Sequence, residues 1–209
     1  GMGRGGHGGG FAGAGHSHDA ENPEDTWNLY QHIERCEALN AANPAEAGGI
    51  FKPFARRAEP EPTLLSDSDE ELIIKITFVS PVHIRRIMVI GGGEEEGHPS
   101  HLKAFANRED VDFSSAEDIS PTQEWPLEVN RTQEGFVVTR QAPFTSVTAV
   151  TLYISANHGS VDQTAVQYIG MQGDHTHDRR AAVDAMYELQ CTHQETDVKA
   201  PHGALFGPN

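Results

Sequence analysis

Basic residues are scarce in this chain: 15 lysines and arginines stand against 31 aspartates and glutamates, a formal net charge of −16 over 209 residues. Nucleic acids and anionic membranes are bound by replacing their counterions with lysine and arginine, so neither is an expected partner. Long apolar runs are also missing. Nothing approaches the ~20 residues of a membrane span, and no secretory signal is read at the start. Cysteine is limited to Cys36 and Cys191, with no Cys-x-x-Cys pair. Two distant thiols without a secretory signal are expected to be reduced, in a protein of the cytoplasm with the nucleus as a second compartment.

What the chain does contain is alternation. After the acidic turn Ser66 to Glu71, Leu72, Ile74, Ile76 and Phe78 fall on one side, with Lys75 and Thr77 on the other. That period of two predicts a strand with one buried face. Ser80-Pro81 is expected to interrupt it, because proline has no amide to give a ladder. Val82 to Ile90 predicts a second strand, Gly91-Gly92-Gly93 with Glu94, Glu95 and Glu96 an exposed loop, and Leu102 to Asn107 a third strand in an antiparallel meander. Trp125 to Val129, Gly135 to Arg140, Ser146 to Ser155 and Thr164 to Gln172 supply the rest, with Val150, Leu152 and Ile154 facing inward. Seven or eight strands without βα alternation predict an all-β antiparallel sandwich, for which a jelly roll is the usual eight-stranded solution.

The ends differ in composition. Residues 1–25 are glycine-rich, hold His7, His16 and His18, and are expected to be a disordered tail. Trp27, Leu29, Tyr30, Ile33 and Cys36, at spacings of three and four, predict a short amphipathic helix over Thr26 to Leu39 docked on the sandwich. The polar stretch with Asp110, Asp112 and Ser114-Ser115 reads as loop. The single domain is expected to span 26–190, with Arg179 to Leu189 a strand or short helix and 191–209 a flexible tail.

Twelve histidines invite a metal hypothesis. His16-x-His18 and His175-x-His177 supply pairs, but a tetrahedral site needs a third and fourth ligand that the spacing does not provide, so no metal or cofactor is expected. No nucleophile stands beside a recognisable base, and Asp67 and Asp69 are read as caps of their own turn rather than an acid/base pair. The triple glycine lacks the lysine and helix of a phosphate loop and is followed by glutamates that repel phosphate. The expectation is therefore a monomeric, non-catalytic protein that binds another protein. Its candidate contact residues are Glu94, Glu95, Glu96 and His98, in an acidic loop able to steer a basic partner. The alternative is a jelly roll that binds a small molecule or carbohydrate, although exposed aromatics to stack on a sugar are few.

Two ordered blocks carry a family resemblance. The first is Ser66-Asp67-x-Asp69-Glu70-x-Leu72, then Pro81-Val82, then His98-Pro99-Ser100 ahead of Leu102-Lys103-x-Phe105. The second is Leu152-Tyr153-Ile154-Ser155-x-Asn157-x-Gly159, followed by Asp162-x-Thr164 and Tyr168-Ile169-Gly170. Together with Phe51-Lys52-Pro53 and Arg179-Arg180, they resemble the proteasome-interacting thioredoxin (PITH) domain over roughly Thr26 to Glu188. The resemblance implies a jelly roll of the galactose-binding type and, as partner, the regulatory particle of the proteasome. It also exposes a departure: where the family has a cysteine directly before a Leu-Asn pair, this chain has Ala38 before Leu39-Asn40, and Cys36 lies two residues earlier. That counts against a special role for the thiol.

Overall fold

The computed structural model describes residues 26–175. The two expected tails, the stretch Arg179 to Leu189, Cys191 and the histidines at 7, 16, 18, 177 and 193 lie outside the described residues. Eight strands make the framework: β1 (Ile33–Leu39), β2 (Leu64–Leu65), β3 (Leu72–Gly91), β4 (Pro99–Ala106), β5 (Gln123–Pro126), β6 (Val137–Val138), β7 (Val147–Asn157) and β8 (Ala165–His175). All pairings are antiparallel. The architecture is the expected all-β sandwich of jelly-roll type.

Strand β3 builds the sandwich. Its first half pairs with β1 on one side and β7 on the other, and β7 leads on to β4 and β5. Its second half pairs with β8 and, over two residues, with β6. One strand of 20 residues therefore belongs to both layers. The change of partner falls at Ser80-Pro81, where the β7 register jumps from Thr77 to Val82. The proline does break the ladder, but the chain stays extended and crosses between sheets instead of turning back. This corrects the expected meander: β4 does not pair with β3 but lies beside β7, a strand from much later in the sequence.

The alternating residues Leu72, Ile74, Ile76 and Phe78 meet Val150, Leu152 and Ile154 in the core between the sheets, all essentially solvent-free. Both outer faces are covered as well. Over the first sheet, Ile73, Phe105 and Tyr153 are capped by Val111 and Ala116, the latter in α1 (Phe113–Asp118). That helix replaces the expected loop. Its start is a capping box in which the Asp112 carboxylate accepts the Ser115 amide at 2.8 Å and Ser115 Oγ accepts the Asp112 amide. Over the second sheet, Met88, Ile90 and Tyr168 are capped by Trp27 and Phe54.

The expected N-terminal helix is not present. Leu29–His32 is a single 3-10 turn, and Ile33–Leu39 is the edge strand β1. Two features imitate a helical period: side chains three apart eclipse in a 3-10 turn, and a bulge between Ile33 and Arg35 shifts the alternation of β1 by one residue. The strands expected over Trp125 to Val129 and Gly135 to Arg140 shorten to Gln123–Pro126 and Val137–Val138. Between them the chain leaves the sheet, and the seam from β5 to β6 is closed by side chains: Gln123 Nε2 and Trp125 Nε1 both donate to the Val138 carbonyl at 3.1 Å.

Cys36 in β1 is half-buried, its Sγ 3.5 Å from the Ala47 carbonyl that accepts its weak hydrogen bond. Burial, aided by the charge of Glu37, pushes the thiol up to about 12. In a Cys191→Ser background, labelling of native protein by a disulfide reagent at pH 8 should be about fifty to a hundred times slower than that of an ordinary exposed thiol. The smaller thiolate fraction is only partly offset by the higher nucleophilicity of a more basic thiolate. Equal rates in folded and denatured protein would show the site to be open.

Candidate functional site

Three loops distant in sequence meet at one end of the sandwich. The loop from β7 to β8, residues 157–164, is the keystone. Asn157 folds it by donating to the Val161 carbonyl at 2.7 Å and accepting the Val161 amide at 3.0 Å. On one side it is stitched to the turn before β3: the Ser66 amide donates to the Thr164 carbonyl at 2.9 Å, Gln163 Nε2 to the Ser66 carbonyl, and Thr164 Oγ1 to the Glu70 carbonyl at 2.7 Å. On the other side it is stitched to the loop between β3 and β4, where the Gly159 amide donates to the Glu96 carbonyl at 2.8 Å and the His158 amide to the His98 carbonyl at 3.0 Å. The approach at Gly159 is so close that a Cβ there would sit 2.4 Å from Glu96 Cβ.

Each loop is acidic, so the junction gathers carboxylates. Asp67, Asp69, Glu94, Glu96 and Asp162 are all exposed, and none has an ion-pair partner among the described residues. Asp69 has the capping role read from the sequence: its carboxylate accepts the Glu71 amide at 3.0 Å and also the Asn40 side-chain amide at 2.7 Å. Together these groups make a field of one sign on a face whose backbone is held rigidly by hydrogen bonds.

The four candidate residues do not share one role. Glu94 and Glu96 project into solvent, on either side of Glu95 at the start of a 3-10 turn, Glu95–Gly97. Glu95 is turned aside into a two-pronged pair with the Arg131 guanidinium, whose hydrogen bonds hold its carboxyl below the usual range. The His98 ring packs back against Gly91, and both ring nitrogens are buried without a hydrogen-bond partner among the described residues. It supports the base of the loop. The sequence reading also missed Asp67, Asp69 and Asp162 as members of the same face, since nothing in local spacing says which loops converge.

A second feature borders this end, since Arg131, the partner of Glu95, also belongs to its lining. Where the chain leaves the β5–β6 seam, a cleft of about 570 Å³ opens between Ile87, Val89, Leu127, Val129, Arg131 and Phe136. Phe136 ends a ladder on the outer face of the second sheet. Arg57 lies 4.0 Å over Phe54, Phe54 stacks on Trp27 at 5.8 Å, Trp27 meets Phe136 at 6.0 Å, and Arg86 lies 4.5 Å over Phe136.

Comparison with known proteins agrees with the fold. Human PITH domain-containing protein 1 is 33% identical over 168 residues, covering 78% of this chain and 78% of its own. The Dictyostelium discoideum protein of the same name is 30% identical over 174 residues, covering 83% and 85%. Among solved structures, the CBM32-1 and CBM32-2 domains of Clostridium perfringens ZmpB, in complex with GalNAc, superpose with a TM-score of 0.51 at 9% identity, over 69% of this chain and 35% of that one. A family 89 glycoside hydrolase from the same organism gives 0.50 at 9%, over 71% of this chain and 15% of its own. These likenesses establish a shared sandwich and nothing about ligands. The PITH domain matches residues 19–191, and the chain belongs to the PITH domain family.

Proposed function

We propose that this protein is a non-catalytic interaction module whose acidic end engages a basic surface on a protein partner, and that the partner is the proteasome regulatory particle in the cytoplasm and nucleus. The observation that carries the interface is the convergence of three loops on one hydrogen-bonded junction, with the exposed carboxylates of Asp67, Asp69, Glu94, Glu96 and Asp162 free of ion pairs among the described residues. Fixed like charges raise the encounter rate with an oppositely charged partner and repel wrong ones, while adding little to folding. The partner's identity draws on the family resemblance. The carbohydrate alternative draws on the fold alone, which hosts many functions.

The test replaces Glu94 and Glu96 with glutamine and Asp162 with asparagine, leaving Glu95 to its pair with Arg131. Melting should be nearly unchanged, since exposed single charges contribute little. Association with immobilised regulatory particle should slow by about tenfold at low salt, and the deficit should shrink as salt screens the field beyond a Debye length of ~8 Å. A wild-type on-rate for the variant at low salt would remove the acidic end as the interface. Failure of the unaltered protein to bind the regulatory particle would remove the partner.

A further inference from the structure

Arg86 has no carboxylate partner among the described residues, in a chain where acids outnumber basic residues two to one. Its neighbour Arg85 is held by Asp174, and Arg56 by Glu59. Arg86 instead rests on the ring of Phe136, and no hydrogen bond from its guanidinium is found among the described residues. A guanidinium lying against an aromatic face keeps its N–H edge available, and its planar fork matches a carboxylate bidentately. Directly across the strand pairing from Arg86 stands Val138, 58% exposed, and two residues before it Phe136, 43% exposed. Both are large apolar side chains left in water, and Phe136 also lines the Ile87–Val129 cleft.

A cation fixed by stacking and two exposed apolar side chains form one surface, beside a cleft of mixed lining in which Glu128, Asn130 and Arg131 stand among the apolar residues. From it we infer that the face around Arg86, Phe136 and Val138 docks an acidic peptide segment of a partner protein, in which an aspartate or glutamate adjoins a leucine or phenylalanine. The carboxylate takes the fork of Arg86, and the apolar side chain covers Phe136 and Val138. Charge complementarity selects this occupant, because Arg86 is an exposed cation that no carboxylate among the described residues neutralises. The surface is chemically opposite to the acidic end, so one molecule can bridge a basic and an acidic element.

The experiment titrates the full chain, at low salt, into a fluorescein-labelled peptide Asp-Glu-Leu-Phe-Glu-Asp and, separately, into its counterpart Lys-Lys-Leu-Phe-Lys-Lys in the presence of excess unlabelled acidic peptide. Anisotropy should show binding of the acidic peptide that weakens about tenfold in Arg86→Gln, the loss expected for one charge-assisted pair. Arg86→Lys should fall between, since lysine keeps the charge and loses the fork. The Glu94→Gln/Glu96→Gln variant should bind the acidic peptide no more weakly than wild type. Because Phe136 also supports Trp27, its role is read without a variant, from amide shifts on adding acidic peptide to labelled wild-type protein; these should cluster at 86–89 and 135–138. Acidic-peptide binding unaffected by Arg86→Gln, or shifts clustered elsewhere, overturns the inference. Displacement of the peptide by galactose overturns it in favour of a sugar site. Self-association abolished by Arg86→Gln overturns it in favour of a second copy of this chain.

Discussion

Replacing Trp27 with alanine should destabilise the protein by about 3–5 kcal/mol, the usual cost of emptying a tryptophan site. Trp27 is 5% exposed, although it precedes every strand. It forms the roof over Met88, Ile90 and Tyr168 and the middle rung between Phe54 and Phe136. Removing it uncovers the outer face of the second sheet and leaves Phe54 and Phe136 without their shared aromatic neighbour. Against a typical total of about 5–15 kcal/mol this is a large fraction. Urea titration measures it, and Trp27→Phe should recover part of the loss by keeping a stacked ring. A midpoint within experimental error of wild type would mean that the ladder is decoration on an independently stable sandwich.

Gly173→Ala should be comparably damaging, about 3 kcal/mol or more, for the opposite reason. Gly173 pairs with Ile84 beside the bulge in β3, and a Cβ built there would lie 1.8 Å from the His83 carbonyl oxygen. That atom is backbone inside a ladder and cannot rotate away as a side chain would, so the strands must separate and the neighbouring hydrogen bonds must lengthen. Gly48 provides the control, since a Cβ there meets nothing within 4 Å. Gly48→Ala should be neutral to slightly stabilising, through the unfolded chain. At roughly 2–4 °C of melting temperature per kcal/mol for a chain of this size, the two variants should separate by about 6–12 °C or more. Coincident melting curves would show that β8 can shift at no cost.

Sequence alone revealed what depends on local pattern and concealed what depends on distant pairing. The inward faces of β3 and β7 were readable because Leu72, Ile74, Ile76 and Val150, Leu152, Ile154 alternate without interruption. The edge strand β1 was hidden by its own bulge, and α1 by its short length, although Asp112 and Ser115 carried a cap signature. The crossing of β3 was unreadable: proline announces a broken ladder, while the new partners are set by β8, on the order of eighty positions away. The same holds for the acidic end. Glu94 and Glu96 were visible as a charge run, but their union with Asp67, Asp69 and Asp162 depends on backbone bonds from the 157–164 loop. The inward turn of His98 and the capture of Glu95 by Arg131 likewise follow from tertiary contacts with no local signature.

The strand shared by both sheets has a consequence for how the protein is made. When residues 72–91 leave the ribosome, β1 is the one partner of β3 already synthesised; β6, β7 and β8 follow only after residue 136. Until then an aliphatic ribbon of 20 residues, the most apolar in the chain, waits with most of its backbone amides and carbonyls unpaired. Long loops must close before any of these contacts repays its entropy, which makes such folding slow. The nascent chain is thus exposed to wrong pairing over this window, and a chaperone that binds extended apolar segments during translation should find its principal site between Leu72 and Gly91.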